Sequence, residues 1–292
     1  MSIFNNGQHG YPADHYFLSL RRVCSLLLVV LFVLPMSASG QRPVVSRLGD
    51  WLADSLPLQG SMQGLAVHGR YAVALRHGGQ CLVLDLRRHK CIASYPLDGN
   101  TSHCNNASFA HSRYADGDPF PLLYVSGCYG DKACYVTRLL QDSTALIQRI
   151  FYDSDCFPIA QDWCVDADSG YLYAYGGRRG GTMYLKKFHL PPVGKGDVRL
   201  TDRDVLQTIP ITCVRVAQGS KIKGGYAYLP DGDSPGNYWL HVVDLATGRE
   251  VSTIDLNPVG LEPEGVDVRG RWIHVSFNTL DPKENKIYRF RR

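Results

Sequence analysis

Apolar and polar residues alternate along most of this chain in short runs of about five to seven residues, broken by Gly, Asp, Asn and Pro. Gly64 to His68, Tyr71 to Arg76, Gln80 to Leu86 and Cys91 to Leu97 form the first such group. A period of two sends successive side chains to opposite faces, so each run predicts a strand and the group predicts one antiparallel meander. The plan of its first hairpin returns near the C-terminus. Gly60 to Ala74 and Leu261 to Val275 both run a long polar residue, a glycine, an alternating strand, a Gly-Arg turn and a returning strand. Between them, polar openings recur at Asn105-Asn106, Gln161-Asp162 and Gln218-Gly219. Second strands follow at Leu122 to Ser126, Gly170 to Tyr175, Gly225 to Leu229 and Arg271 to Phe277; the clearest third strands are Met183 to Phe188, Tyr238 to Asp244 and Lys286 to Phe290.

The openings at positions 63, 105, 161, 218 and 264 are 42, 56, 57 and 46 residues apart. A propeller needs such a period and a sandwich does not. The expected fold is therefore all-β, a five-bladed β-propeller; a sandwich with coincidental Gln-Gly dipeptides is the alternative. The fifth unit has three strands, and Val44 to Leu48 is expected to supply its fourth, closing the ring and hiding open edges. One propeller domain is expected over residues 41–292. Residues 1–40 read as an N-terminal extension and signal peptide: Arg21-Arg22 precede an apolar run from Val23 to Met36, then Ser37-Ala38-Ser39-Gly40. The run is short for a bilayer span. A secreted or periplasmic protein with no transmembrane span in the mature chain is expected.

Composition adds little to the fold and narrows the function. The 45% hydrophobic content suffices for a sizeable core. The net charge of +4 comes from 31 basic and 27 acidic residues without a basic run, which argues against nucleic acid as a partner. A monomer is expected. Nine cysteines less Cys24 leave an even number in the exported chain, which favours disulfides over metal. Cys128 with Cys134, across an apparent hairpin, is the first candidate pair and Cys81 with Cys91 the second.

In a propeller the residues that open each repeat ring one channel mouth. That ring is Gln63, Asn105 with nearby His103, Gln161 with Asp162, Gln218 and Glu264, and second-strand ends add Arg76, His77, Arg178 and Asn278. Convergent polar groups in a concave site make a binding-site hypothesis; inward amides that only satisfy backbone groups and water are the alternative. Glu264 stands where the other openings carry amides, in a chain whose Glu residues are Glu250, Glu262, Glu264 and Glu284. It could ligate a divalent cation such as Ca2+ or move a proton. Glu264 with Asp162 is the pair that glycoside hydrolysis would use.

Glu262-Pro263-Glu264-Gly265, with Gln63-Gly64 and Gln218-Gly219, resembles the openings of secreted bacterial propellers of the phytase-like and gluconolactonase-like kind, and of teichoic-acid-related and bacteriocin-like five-bladed propellers. The resemblance implies the fold and, in the former families, cation ligation by a glutamate at a strand start. The amides here replace most of the acidic ligands such a metal site would carry. The leading expectation is an exported propeller that binds a small polar ligand, a carbohydrate or other glycan, at one mouth. Two others stay open: a glycan or lactone hydrolase using Glu264 and Asp162, with or without a divalent cation, and a protein-interaction scaffold presenting the loops Asn106 to Pro121 and Lys195 to Pro210.

Overall fold

The computed structural model describes residues 61–88, 90–154, 161–177, 181–194, 196–278 and 285–292. Their strands form five sheets arranged as the blades of a propeller. Blade 1 is β1 (Met62–His68), β2 (Tyr71–Arg76), β3 (Gln80–Asp85) and β4 (Lys90–Pro96). Blade 2 opens with β5 (Ala107–Phe109), β6 (Leu123–Ser126), β7 (Cys134–Leu139) and β8 (Thr144–Asp153); blade 3 opens with β9 (Gln161–Asp166), β10 (Tyr171–Gly177) and β11 (Met183–His189). The chain then makes β12 (Gly196–Thr201) before β13 (Gln207–Ile211) completes blade 3. Blade 4 is β14 (Lys221–Lys223), β15 (Tyr226–Asp231), β16 (Trp239–Asp244) and β17 (Glu250–Asp255), and blade 5 is β18 (Glu262–Arg269), β19 (Trp272–Asn278) and β20 (Lys286–Arg291). Each first strand meets its counterparts in the two neighbouring blades, so β1, β5, β9, β14 and β18 close a ring.

The core is divided among the five seams between blades, and the period of two explains why. In β2, Val73 and Leu75 enter the seam with blade 2, while Ala72 and Ala74 face the seam with blade 5. In β10, Leu172 and Ala174 pack towards blade 2 and Tyr173 and Tyr175 towards blade 4. A blade held between two others buries both faces, so its middle strands read as continuous burial. The sequence pattern of small residues on one face and large ones on the other, clearest in β2, matches this division.

The blade 5 to blade 1 seam is also fastened by polar groups. The Val67 N–H donates to Asp267 Oδ2 at 2.6 Å, Ser276 Oγ donates to the Gln63 carbonyl at 2.9 Å, and Lys221 Nζ of blade 4 meets Asp267 Oδ1 at 3.0 Å. The expected closing strand, Val44 to Leu48, and the signal peptide lie outside the described residues. No helix among the described residues is long and apolar enough to cross a membrane.

Two expectations need correction. Lys195 to Pro210 is not a presented loop: β12 pairs in parallel with β8, from Gly196 opposite Gln148 to Thr201 opposite Asp153, and makes blade 2 five-stranded. Val198 and Leu200 pack into the blade 2 to blade 3 core, while Asp197 meets Arg149 at 2.8 Å and Arg199 meets Asp153 at 3.1 Å on the other face. The proposed disulfides are also absent: Cys128, Cys134, Cys81 and Cys91 are all unpaired. The β6–β7 register sets Ser126 opposite Cys134, so Cys128 lies past the last pair, where its N–H donates to the His103 carbonyl at 2.9 Å. Cys134 instead packs among Tyr124, Val136, Ile150 and Trp163. Cys81 and Cys91 face different seams, one towards blade 2 and the other towards blade 5.

Candidate functional site

At the mouth of the channel, side chains at or near the openings of the first strands surround a cavity of about 390 Å³. Gln63, His103, Asn105, Gln218, Glu264 and Asn278, drawn from the sequence pattern, all line it. The close centre depends on glycine. A Cβ on Gly64 would lie 2.8 Å from the Asn106 carbonyl carbon, and one on Gly265 would lie 2.6 Å from the Leu65 nitrogen. Both neighbours are backbone and cannot yield as a side-chain tip would. The glycine after the long polar residue therefore lets adjacent inner strands approach, which brings the polar residues themselves together.

The polar groups bond around the ring. Gln63 Nε2 donates to Glu264 Oε1 at 3.2 Å and to Ser61 Oγ at 3.1 Å. Gln218 Nε2 donates to Glu262 Oε1 at 2.9 Å and to the Gly232 carbonyl at 3.0 Å. Asn105 Nδ2 donates to both carboxylate oxygens of Asp162, at 2.9 and 3.0 Å, and the Gly219 N–H donates to Asp162 Oδ2 at 3.2 Å. One carboxylate thus joins blades 2, 3 and 4. Two acceptors at the cavity wall have no hydrogen-bond partner among the described residues, Gln63 Oε1 and Asn278 Oδ1. A buried acceptor without a partner is costly, and a ligand donor would satisfy it.

Burial sets the charge of this site. Glu264 is only 4% exposed, and burial together with the nearby Glu262 and Asp162 carboxylates holds its proton well above the usual carboxylate range, against the opposing bond from Gln63. Burial pushes the Asp162 carboxyl up to about 7 despite its bonds from Asn105 and Gly219. Glu262 is raised for the same first reason, with the Asn278 and Gln218 amides opposing. Burial and the neighbouring His77 lower His103 to about 4, so its imidazole is neutral at neutral pH. The mouth therefore combines a Glu264 that holds its proton more tightly than an ordinary carboxylate, a neutral His103 imidazole and amides with the Glu262 and Asp233 carboxylates.

The other expected positions fall differently. Asp162 is buried and does not line the cavity; it holds Asn105, which does. His77 stands behind His103, with the two Nδ1 atoms 2.8 Å apart and one ring donating to the other. Arg76 is fully buried at the end of β2 and does not line the cavity, and burial lowers its guanidinium to about 10. The Gln161 side chain and Arg178 lie outside the described residues. The structure adds Glu262, Tyr129 and Asp233 to the wall. Glu262 had a readable signal, since it stands two residues before Glu264 at the period of a strand. Tyr129 had none: its ring sits 5.1 Å from His103 because of the β6–β7 turn.

No protein-family model and no curated protein matches this chain. Among solved structures, the crystal structure of Myxococcus xanthus glutaminyl cyclase is similar with a TM-score of 0.53 and 15% identity, over 79% of this chain and 89% of that one. The WD40 domain of Neurospora crassa Pan2 matches with a TM-score of 0.38 and 12% identity, over 79% of this chain and 63% of that one. The first likeness is one of fold, and a fold shared at this identity leaves the chemistry to be argued from the site.

Proposed function

We propose that the channel mouth binds a small neutral ligand rich in hydroxyl or amide groups, with carbohydrate as the favoured class. The observation that carries the reading is the wall of the 390 Å³ cavity: amides from blades 1, 2, 4 and 5, of which Gln63 Oε1 and Asn278 Oδ1 have no partner among the described residues, beside a Glu264 whose proton affinity burial raises. Neutral donors and acceptors suit a ligand recognised through directional hydrogen bonds. Tyr129, 58% exposed at the rim, offers an aromatic face to a sugar ring.

A glycan array followed by calorimetry tests this. A Gln63→Ala, Gln218→Ala double variant should bind about 10- to 100-fold more weakly, the worth of two hydrogen bonds. Equal binding by the wild type and the variant overturns the reading. Running each titration with Ca2+ and with chelator tests the cation alternative, in which the Glu264 and Glu262 carboxylates share an ion. Binding that requires Ca2+ would replace the neutral mouth with a metal-centred one.

A second reading rests on the same Glu264 proton. Glu264 and Asp162 are near enough to raise Glu264's proton affinity, which suits acid–base chemistry on a bound ester, glycoside or amide. Asp162 accepts three hydrogen bonds, so Glu264 is the better placed of the pair to exchange a proton. The glutaminyl cyclase of similar fold suggests a glutaminyl peptide as one substrate to try, with ammonia release as the readout. Turnover of any lactone, glycoside or glutaminyl peptide should be abolished in Glu264→Gln. Turnover that survives this change rules the second reading out.

A further inference from the structure

Blade 4 carries a cluster that the mouth does not use. Cys213, in the connection from β13 to β14, His241 in β16 and Glu250 at the start of β17 place a sulfur, an imidazole nitrogen and a carboxylate oxygen within 4.8 Å of one another. None of the three lines the mouth cavity. His241 Nδ1 and Glu250 Oε1 are 2.5 Å apart, and Thr253 Oγ1 donates to the same carboxylate oxygen at 2.8 Å. On the other side of the ring, His241 Nε2 lies 3.5 Å from Asp231 Oδ2. Asp231 is itself held by the N–H groups of Arg215 at 3.1 Å and Val216 at 2.7 Å, two and three residues after Cys213.

We propose that Cys213 Sγ, His241 Nδ1 and Glu250 Oε1 bind a divalent zinc-type ion, with Asp231 orienting the imidazole from Nε2. The donor set is the borderline-soft mixture of sulfur, nitrogen and oxygen that zinc takes, and three protein ligands leave a fourth position for water. A carboxylate against the far nitrogen of a metal-bound histidine fixes which nitrogen faces the metal. The geometry is one small adjustment from a tetrahedral site. At ordinary zinc bond lengths the ligand atoms stand about 3.5 Å apart. Binding would open the His241–Glu250 contact by about 1 Å, as an ion replaces the proton between them, and draw the sulfur inward. Both outer ligands have room to move. Cys213 is half-buried at a bend, and Glu250 is exposed beside the β16–β17 bulge between Val242 and Val243.

The charges balance when the thiol releases its proton and the imidazole binds as the neutral ring protonated at Nε2. The site also bears on the mouth, since the segment from Cys213 leads directly to Val216, Ala217 and Gln218 in the cavity wall. A bound ion would fix one end of that segment.

The test uses the reduced full chain titrated with Zn2+ against a chromophoric chelator, and with Co2+ followed by absorption. One ion per chain should bind, and Co2+ should show a thiolate-to-metal charge-transfer band. Cys213→Ser should remove that band and weaken Zn2+ binding at least about 100-fold, whereas Cys128→Ser, at the mouth, should keep both. Glu250→Gln, at an exposed position, should weaken binding without removing the band, and serves if Cys213→Ser fails to fold. No ion bound, an ion bound without the band, or a band that persists in Cys213→Ser overturns the proposal.

Discussion

Replacing Asp162 with asparagine separates the charge of the mouth from its hydrogen bonds. The amide oxygen of Asp162→Asn can still accept from Asn105 and from the Gly219 N–H, while the group that titrates is gone. In the folded protein the Asp162 carboxyl is pushed up to about 7 by burial; in an unfolded chain it titrates near 3.9. A tenfold difference in proton affinity is worth about 1.4 kcal/mol, so the folded state favours the protonated form by about 4 kcal/mol. Because the folded value is the higher one, this stabilisation is complete below about pH 4. It is lost at about 1.4 kcal/mol per pH unit as the pH rises towards 7, and is absent above that. Urea unfolding of both proteins from about pH 4 to pH 8 measures it. The raised Glu264 contributes in the same direction to both curves, and less in Asp162→Asn, where the neighbouring carboxylate that helps to raise it is gone. Wild type should lose about 4 kcal/mol relative to Asp162→Asn across that range. Curves that stay parallel to within about 0.5 kcal/mol would mean that Asp162 is ionised in the folded protein. Burial would then not govern protonation at this carboxylate, and a fixed negative charge would stand behind Asn105 throughout the range.

Three other outcomes follow from the same geometry. Gly265→Ala forces a Cβ to within 2.6 Å of the Leu65 nitrogen at the blade 1 to blade 5 seam and should cost about 1–3 kcal/mol by urea denaturation. Gly194→Ala, whose Cβ would meet nothing nearer than Gln148 Nε2 at 3.8 Å, should stay within about 0.5 kcal/mol, and equal effects would refute the close-approach account. Lys221→Met strands the Asp267 carboxylate, only 3% exposed and shared by blades 4, 5 and 1, and should cost about 3–5 kcal/mol. Adding Asp267→Asn should cost less than the sum of the two single changes; strict additivity would show that the pair is not coupled. The His103 ring should stay neutral by NMR until the pH falls to about 4, and a midpoint near 6.5 would show it to be solvated instead.

The ring explains which of these features could be read from the sequence. In a propeller, equivalent positions of consecutive repeats become neighbours, so a repeat spacing is a statement about contacts. The intervals of 56 and 57 residues between openings reappear, to within one residue, in the bonds from Asn105 to Asp162, from the Val165 N–H to Ser108, and from the Gly219 N–H to Asp162. Gln63 and Glu264, 201 residues apart, meet because the last blade returns to the first. What the spacing cannot carry is burial or pairing between unlike positions. β12 alternates plainly, with Val198 and Leu200 apolar, yet it joins β8 of blade 2 while its neighbours in sequence, β11 and β13, belong to blade 3, and no local signal names that partner. Cysteine spacing predicts a link between Cys128 and Cys134, but Cys134 enters the blade 2 to blade 3 seam while Cys128 lies past the last pair, at the mouth. The zinc cluster is the extreme case. Cys213, His241 and Glu250 come from a connection and the two outer strands of blade 4, positions that no repeat relates. The period of the chain therefore locates the axial mouth, and sites away from the axis become visible only when the blades are built.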